Sequence, residues 1–348
     1  MPSSYLPTPP SEPSSTPTIE AKQATVYLHT PFHPKAEVYA QEKFGRILRP
    51  QDGTVQEIMS QVDGILLRVS SVTREMLLQA PKLKIISRNG TGVDNIHIPT
   101  AKEKGVIVTN CPGGNAQAVA ELALTLALTV LRRVVEIDSR IRSGEKVPSI
   151  TALAPGLFAK TIGLIGMGDT SYEFAKLLLS FNCKILVYSP TSPKTRWTTS
   201  DSVENKKKFP NVIPHERCST LEELLQVVDV VSLHCPLNDS TRGLIGTKEL
   251  DLMRDDAIIV NTARGGMIDE RALEKALEDG TLGGAGIDVW EIEPAYGDTM
   301  GKLGKLRNTV VLPHLGGSTD QVTLEGCMTA IDIMADYFDG KPVKNRVI

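Results

Sequence analysis

Apolar and polar positions along this chain fall into two alternating kinds of run. Short β-branched and aliphatic stretches, such as residues 161–165, 185–188 and 257–261, have the pattern of parallel strands buried on both faces. Between them lie segments with apolar residues at helical spacing, for instance Tyr172, Ala175, Leu178 and Leu179. The alternation is sustained from Ala24 onwards, which predicts an α/β fold. One set of strands is expected at residues 24–29, 47–48, 64–69, 84–87 and 106–109. A second set begins at Thr161 and continues at 185–188, 229–234, 257–261, 285–289 and 309–312. Between the sets, residues 115–143 form an Ala- and Leu-rich pattern that predicts one long helix, closed by Gly144. The last helix, Asp320–Phe338, ends at Gly340 and is expected to return to the first unit, making that unit discontinuous.

The stretch that organises the second set is a strand ending at Gly166, a turn through Gly168, a helix, and a second strand at 185–188. A dinucleotide site needs that order. Gly166 allows a sharp turn, and Gly168 lets the backbone approach a pyrophosphate resting on the helix N-terminus. Two doubly wound, Rossmann/flavodoxin-like parallel-sheet lobes are therefore predicted, joined by two crossing helices with a cleft between them. Their bounds are residues 23–118 with 315–348 for one lobe, and 119–314 for the dinucleotide-binding lobe. The motif departs from the usual form in three places. Ser171 replaces a third glycine, Asp169 sets a carboxylate where it would repel a pyrophosphate, and no acid follows the second strand. Ser189, Thr191, Lys194 and Arg196 stand there instead, donors that suit a 2′-phosphate, so NADP is expected over NAD.

Composition narrows the class. The chain has 348 residues, a net charge of −3 and 23% charged residues, which suits a protein that binds neither nucleic acid nor membrane. The run Lys206, Lys207, Lys208 is flanked by Asp201 and Glu204 and is expected to be a solvated loop. It lies within residues 191–217, an unusually long irregular connection, either a functional loop or a disordered insertion. The five cysteines are widely spaced, with no C-x-x-C pair, and His29 and His33 have no further ligands nearby, so no metal site is expected. Residues 1–22, rich in Pro, Ser and Thr, predict a disordered tail without the features of a secretory signal or mitochondrial transit peptide. A cytoplasmic location is the expectation.

Three polar clusters follow strands of the second set: Asn261, Thr262 and Arg264; Asp288 and Glu293; and His314. An arginine, a carboxylate and a histidine at successive strand ends make up the set required for hydride exchange between a 2-hydroxy acid and nicotinamide. The guanidinium of Arg264 would hold a carboxylate and polarise a carbonyl. His314 would carry the hydroxyl proton, and Glu293 would orient the imidazole and favour its cation. Asp288 would accept a hydrogen bond from the nicotinamide carboxamide.

From about Ala24 to Lys344 the chain resembles the D-isomer-specific 2-hydroxyacid dehydrogenase family, most closely its phosphoglycerate dehydrogenase-like branch. The matching motifs lie at residues 89–95, 231–237, 261–265, 288–294 and 313–319. The resemblance implies Arg264, Glu293 and His314 as the catalytic triad. It also implies substrate-carboxylate binding by backbone N–H groups around Asn89, Gly90, Thr91 and Gly92, and a substrate-anion contact from Arg68. Cofactor contacts are implied for Gly166, Gly168, Asp169, Thr170, Ser189, His234, Cys235, Pro236, Thr262 and Asp288. The first unit plus the last helix would be the substrate lobe, and a homodimer is implied. The substrate would be a small 2-hydroxy or 2-keto acid of the phosphoglycerate, hydroxypyruvate or glyoxylate type. Two alternatives share these motifs: a dinucleotide-gated binding protein similar to the C-terminal-binding-protein corepressors, and a family member with little turnover.

Overall fold

Every aliphatic run named above becomes a strand in the computed structural model, which describes residues 19–348. Five strands, β1 (Thr25–Leu28), β2 (Arg46–Leu48), β3 (Gly64–Leu67), β4 (Ile85–Arg88) and β5 (Ile107–Thr109), form a sheet in the order β2-β1-β3-β4-β5. All its pairings are parallel, with Val26 opposite Gly64 and Ile65 opposite Ile86. That is the flavodoxin-like order. Seven further strands are β6 (Thr161–Ile165), β7 (Lys184–Tyr188), β8 (Glu216–Arg217), β9 (Val230–Leu233), β10 (Ile258–Asn261), β11 (Gly284–Ile287) and β12 (Thr309–Val311). They form a second all-parallel sheet, β12-β11-β10-β9-β6-β7-β8. Its direction of growth reverses between β6 and β9, the switch point of a Rossmann sheet.

The chain divides into two compact units, one running to Pro112 and resuming with Thr323–Ile348, the other Gly113–Val322. In the first unit, alternate residues of each strand face opposite layers, which is why the strands are apolar throughout. Val26, Leu28, Leu66 and Ile85 pack on Cys327, Ile331, Met334 and Phe338 of the last helix, Asp320–Phe338. Tyr27, Ile65, Leu67 and Ile86 face Ile58, Met59 and Leu77 on the other side. A Cβ at Gly64 would stand 2.7 Å from Met334 Sδ, so the glycine sets how closely that helix lies on the sheet.

In the second unit, Ile162, Leu164, Ile185, Val187 and Val260 pack against helices Ala116–Leu131 and Asp169–Leu179. Val231, Leu233, Ile259 and Ile287 pack against helices Leu221–Leu225 and Glu270–Asp279. Ala120, Ala123 and Ala127 are fully buried, and the small side chains let the first of these helices lie close over the sheet.

Several expectations are corrected. The helix expected over 115–143 is two helices, Ala116–Leu131 and Val134–Arg142, separated by Arg133 at φ +54°. Ala116–Leu131 is well buried, whereas Val134–Arg142 buries no residue, so nothing in the core holds the second stretch to the axis of the first. The Arg133 guanidinium instead grips Glu136 through two hydrogen bonds of 2.6 and 2.7 Å.

The tail expected over 1–22 falls mostly outside the described residues. Its last part is structured, since Ala21–Gln23 forms a 3-10 turn with Ala21 buried against the first core. The connection 191–217 contains helix Val203–Lys208 and strand β8, and Trp197, Phe209 and Ile213 join the second core. Lys208 is therefore fixed at a helix end rather than lying in a solvated loop.

Phe174 is fully buried, with its ring 5.3 Å from that of His234. Phe174→Ala is expected to lower the unfolding free energy by about 3–5 kcal/mol, read as a lower urea midpoint at unchanged slope. A loss below about 1 kcal/mol would mean that this helix is not anchored through Phe174.

Candidate active site

The C-terminal ends of β10, β11 and β12 are neighbours in the sheet, and each opens into one of the polar clusters. After β10, the Asn261 side chain organises the turn, accepting from Ala263 N at 3.1 Å and donating to the Arg264 carbonyl at 2.9 Å. Arg264 donates from Nη1 to the Ala263 carbonyl at 2.7 Å and remains half-exposed. A Cβ at Gly265 would stand 1.8 Å from the Trp290 carbonyl oxygen. Only glycine therefore lets the Arg264 turn lie against the loop that follows β11.

That loop holds Glu293. Trp290 N–H donates to Glu293 Oε1 at 3.1 Å, and the Trp290 indole donates to the Leu312 carbonyl at 2.8 Å, tying the loop to the end of β12. Asp288 completes the link. It is fully buried, and its carboxylate accepts from Leu315 N at 2.6 Å and Gly316 N at 2.8 Å, while its carbonyl accepts from His314 N at 2.7 Å. Burial pushes the Asp288 carboxyl above the usual carboxylate range, and the two N–H donors partly offset this.

His314 sits in the left-handed region at φ +63°, a conformation costing a non-glycine residue about 1–3 kcal/mol. Its Nδ1 lies 2.7 Å from Glu293 Oε2. An ionised carboxylate only accepts, so Nδ1 carries the proton and Nε2 is left for exchange with a ligand. Burial raises the Glu293 carboxyl. The hydrogen bond and charge of His314, the Trp290 N–H and the nearby Arg264 charge outweigh that, leaving Glu293 below the ordinary glutamate range. Guanidinium, carboxylate and imidazole are thus brought together on one edge.

The same edge carries the glycine turn. Gly166 has φ +104°, and a Cβ there would stand 2.7 Å from the His234 carbonyl oxygen, so the turns after β6 and β9 touch through backbone. At Gly168 a Cβ would meet no atom within 4 Å, and no side chain caps the helix that starts at Asp169. Ser171 is fully buried and donates to the Gly166 carbonyl at 2.9 Å. Thr170 lies in the first helical turn.

His234 has a buried ring, kept neutral by a pKa pushed down to about 3 by burial; Cys235 and Pro236 follow it. The Thr262 hydroxyl is buried without a hydrogen-bond partner among the described residues. An open helix N-terminus, a glycine with room for an approaching group and an orphaned hydroxyl at one sheet edge fit a nicotinamide dinucleotide. Asp288 has a structural task beside the one expected of it, because both carboxylate oxygens already hold the 315–316 turn.

After β7, Ser189 is buried and shares a 2.8 Å hydrogen bond with Ser192. Arg196 donates to the Met167 carbonyl at 2.9 Å, inside the glycine turn, and Lys194 is exposed. Sequence reasoning missed Arg217 here. At the end of β8 it donates to the Ser189 carbonyl and to Met167 Sδ. Burial and the charge of Arg196 hold Arg217 below the usual arginine range. No local signal in the sequence marked it, because the two-residue strand that carries Arg217 ends a long polar connection. Asp169 pairs with Lys208, Nζ to Oδ1, at 2.8 Å.

In the first unit, Arg68 follows β3 and residues 89–92 follow the adjacent β4. Asn89 is locked to the last helix, donating to Cys327 Sγ at 3.2 Å, and the Gly90 carbonyl accepts from Cys111 N at 2.9 Å. Thr91 Oγ1 donates to the Cys111 carbonyl at 3.3 Å, and Gly92 follows. Arg88 Nε donates to the Arg68 carbonyl at 3.1 Å, tying the two strand ends together. Among the described residues, no cluster of three His, Cys, Asp or Glu could hold a metal ion, and no helix is long and apolar enough to cross a membrane.

Comparison with known proteins identifies the family. Residues 124–316 match the family model described as D-isomer specific 2-hydroxyacid dehydrogenase, NAD binding domain. A glyoxylate reductase of Thermococcus litoralis is 40% identical over 279 residues, 78% of this chain and 79% of the relative. A hydroxypyruvate reductase of Thermotoga maritima is 39% identical over 266 residues, 76% of this chain and 81% of the relative. Among solved structures, the TT0316 protein from Thermus thermophilus superposes with a TM-score of 0.81 at 30% identity, covering 93% of this chain and 100% of its own. Sequence, fold and strand-end chemistry agree: the chain belongs to the D-isomer-specific 2-hydroxyacid dehydrogenase family.

Proposed function

We propose that this protein interconverts a D-2-hydroxy acid and its 2-keto acid with NADP, on substrates of the glyoxylate, hydroxypyruvate and phosphoglycerate type. The observation that carries this reading is the 2.7 Å contact between His314 Nδ1 and Glu293, which presents Nε2 as the proton-exchanging atom. Bound nicotinamide supplies or accepts the hydride. In reduction His314 gives a proton from Nε2 to the carbonyl oxygen, and in oxidation it takes that proton back. Glu293, held ionised, stabilises the imidazolium. Arg264 grips the substrate carboxylate and polarises the carbonyl. The Gly113–Val322 unit is the dinucleotide-binding part. The other unit binds substrate, with backbone N–H groups of residues 89–92 on the carboxylate and Arg68 on a second anionic group. The names of the two curated relatives support the substrate class.

Two neighbouring arginines support the preference for NADP. Arg196 and Arg217 converge beside Ser189 and Ser192 with no acid at position 189, and a 2′-phosphate would relieve their mutual repulsion. Exposed apolar residues support a homodimer. Val135, Ile141, Ile150, Leu153 and Phe158 project from the poorly buried stretch after Arg133, and such a surface suits a second copy of the chain.

With glyoxylate or hydroxypyruvate, NADPH absorbance is expected to fall. His314→Ala and Arg264→Ala should each lower kcat/KM by about 10³-fold. Equal rates in all three proteins would remove these residues from the chemistry. Replacing both arginines, Arg196→Ala with Arg217→Ala, should weaken NADPH by about 10-fold more than it weakens NADH, consistent with lost charge-assisted hydrogen bonds; an unchanged ratio of the two cofactors would refute the 2′-phosphate reading. Sedimentation equilibrium should give twice the 37.8 kDa chain mass, reduced to one chain by Leu153→Asp with Phe158→Asp. A single-chain mass for the unaltered protein would exclude the dimer.

A further inference from the structure

The Asp169–Lys208 contact is not part of the family motif, and it stands at the point where the proposed cofactor's negative charge must rest. Asp169 is the first residue of the helix behind Gly168, and alone it would set a carboxylate against a pyrophosphate. Lys208 reaches it at 2.8 Å from the end of helix Val203–Lys208, about forty residues further along the chain.

The segment that delivers this lysine is built to hold it in place. Its core is the aromatic cluster of Trp197 and Phe209 on Tyr172, with ring centroids 5.7 and 5.0 Å from the tyrosine, and Tyr172 lies one turn into the same helix as Asp169. The Asp201 carboxylate fastens the segment internally, accepting from Trp197 N at 2.9 Å, Ser202 N at 2.8 Å and Asn205 Nδ2 at 2.9 Å. Lys208 Nζ lies 5.5 Å from the centroid of the adjacent Phe209 ring. Arg196, from the same segment, grips the Met167 carbonyl. The glycine turn is therefore held on both sides of Gly168 by cations from one insertion.

As a stabilising contact the ion pair counts for little. The Lys208 side chain is 58% exposed, and such pairs contribute little to folding. Its effect is local neutralisation. We propose that Lys208 is a positioning residue for cofactor binding, acting through Asp169: it cancels the carboxylate that would otherwise repel the pyrophosphate from the helix N-terminus. This rests on the dinucleotide reading above and adds a residue outside the motif to it.

Calorimetric titration of NADPH into the full-length protein without substrate tests the idea by binding rather than turnover. Lys208→Ala should raise Kd about 10-fold and Asp169→Asn should leave it within about 2-fold, with the Lys208→Ala loss shrinking at high salt. In the Asp169→Asn background, Lys208→Ala should change Kd by less than about 2-fold, and Lys208→Arg alone should restore binding. Thermal midpoints should stay within about 2 °C of the unaltered protein, since an exposed pair is involved. A loss from Lys208→Ala that is equally large in the Asp169→Asn background would mean that the lysine does not act through Asp169, and unchanged binding in both single variants would remove the pair from cofactor binding. Failure of the unaltered protein to bind either NADPH or NADH would instead overturn the dinucleotide reading and this proposal with it.

Discussion

The buried carboxylate of Asp288 is the interaction on which the site depends. A charged group with no exposure to water is costly unless its lone pairs are occupied, and the N–H groups of Leu315 and Gly316 occupy them. Each such charge-assisted hydrogen bond contributes about 1.5–3 kcal/mol, enough to keep the following turn in one conformation. The His314 N–H bond to the Asp288 carbonyl fixes that turn at a third point. His314 can then hold its left-handed backbone conformation, because its neighbours leave no cheaper alternative. The imidazole is placed by backbone hydrogen bonds before Glu293 acts on it.

Trp290 does for Glu293 what Asp288 does for His314. Its N–H orients the carboxylate, its indole reaches the end of β12, and its carbonyl backs onto Gly265. Three loops on adjacent strand ends are therefore tied together through Trp290. Rigid support of this kind keeps reacting groups within the narrow tolerance that proton transfer requires. It also explains why the glycine beside Arg264 is fixed by packing rather than by torsion angle.

The strands were legible in the sequence because two-sided burial in a parallel sheet leaves continuous aliphatic runs that few other structures produce. The clustering of Arg264, Glu293 and His314 was legible for a related reason, since each lies in the loop that follows such a run. The break at Arg133 was not, because it depends on where the core ends rather than on any helix-breaking residue. Arg217 and Lys208 were hidden in a segment whose polar composition suggests an open loop. Its order comes from Trp197 and Phe209 packing on a helix more than twenty residues upstream, a tertiary fact with no local signature.

The departures from the glycine motif are each answered by a partner. Ser171, where a third glycine is usual, turns its hydroxyl back on the Gly166 carbonyl, so the larger residue closes the turn with a hydrogen bond. Asp169 is met by Lys208. Ser189, where an acid is usual, is met by Arg217 on its carbonyl and Ser192 on its hydroxyl. Lys208 and Ser192 come from the segment between β7 and β8, Arg217 from β8 itself, and Arg196, from the same segment, holds the turn between the glycines. A short motif read residue by residue scores such a turn as degraded. Scored by the charges and hydrogen bonds around it, the turn is intact, because the chemistry lost within the motif is supplied from elsewhere in the same unit.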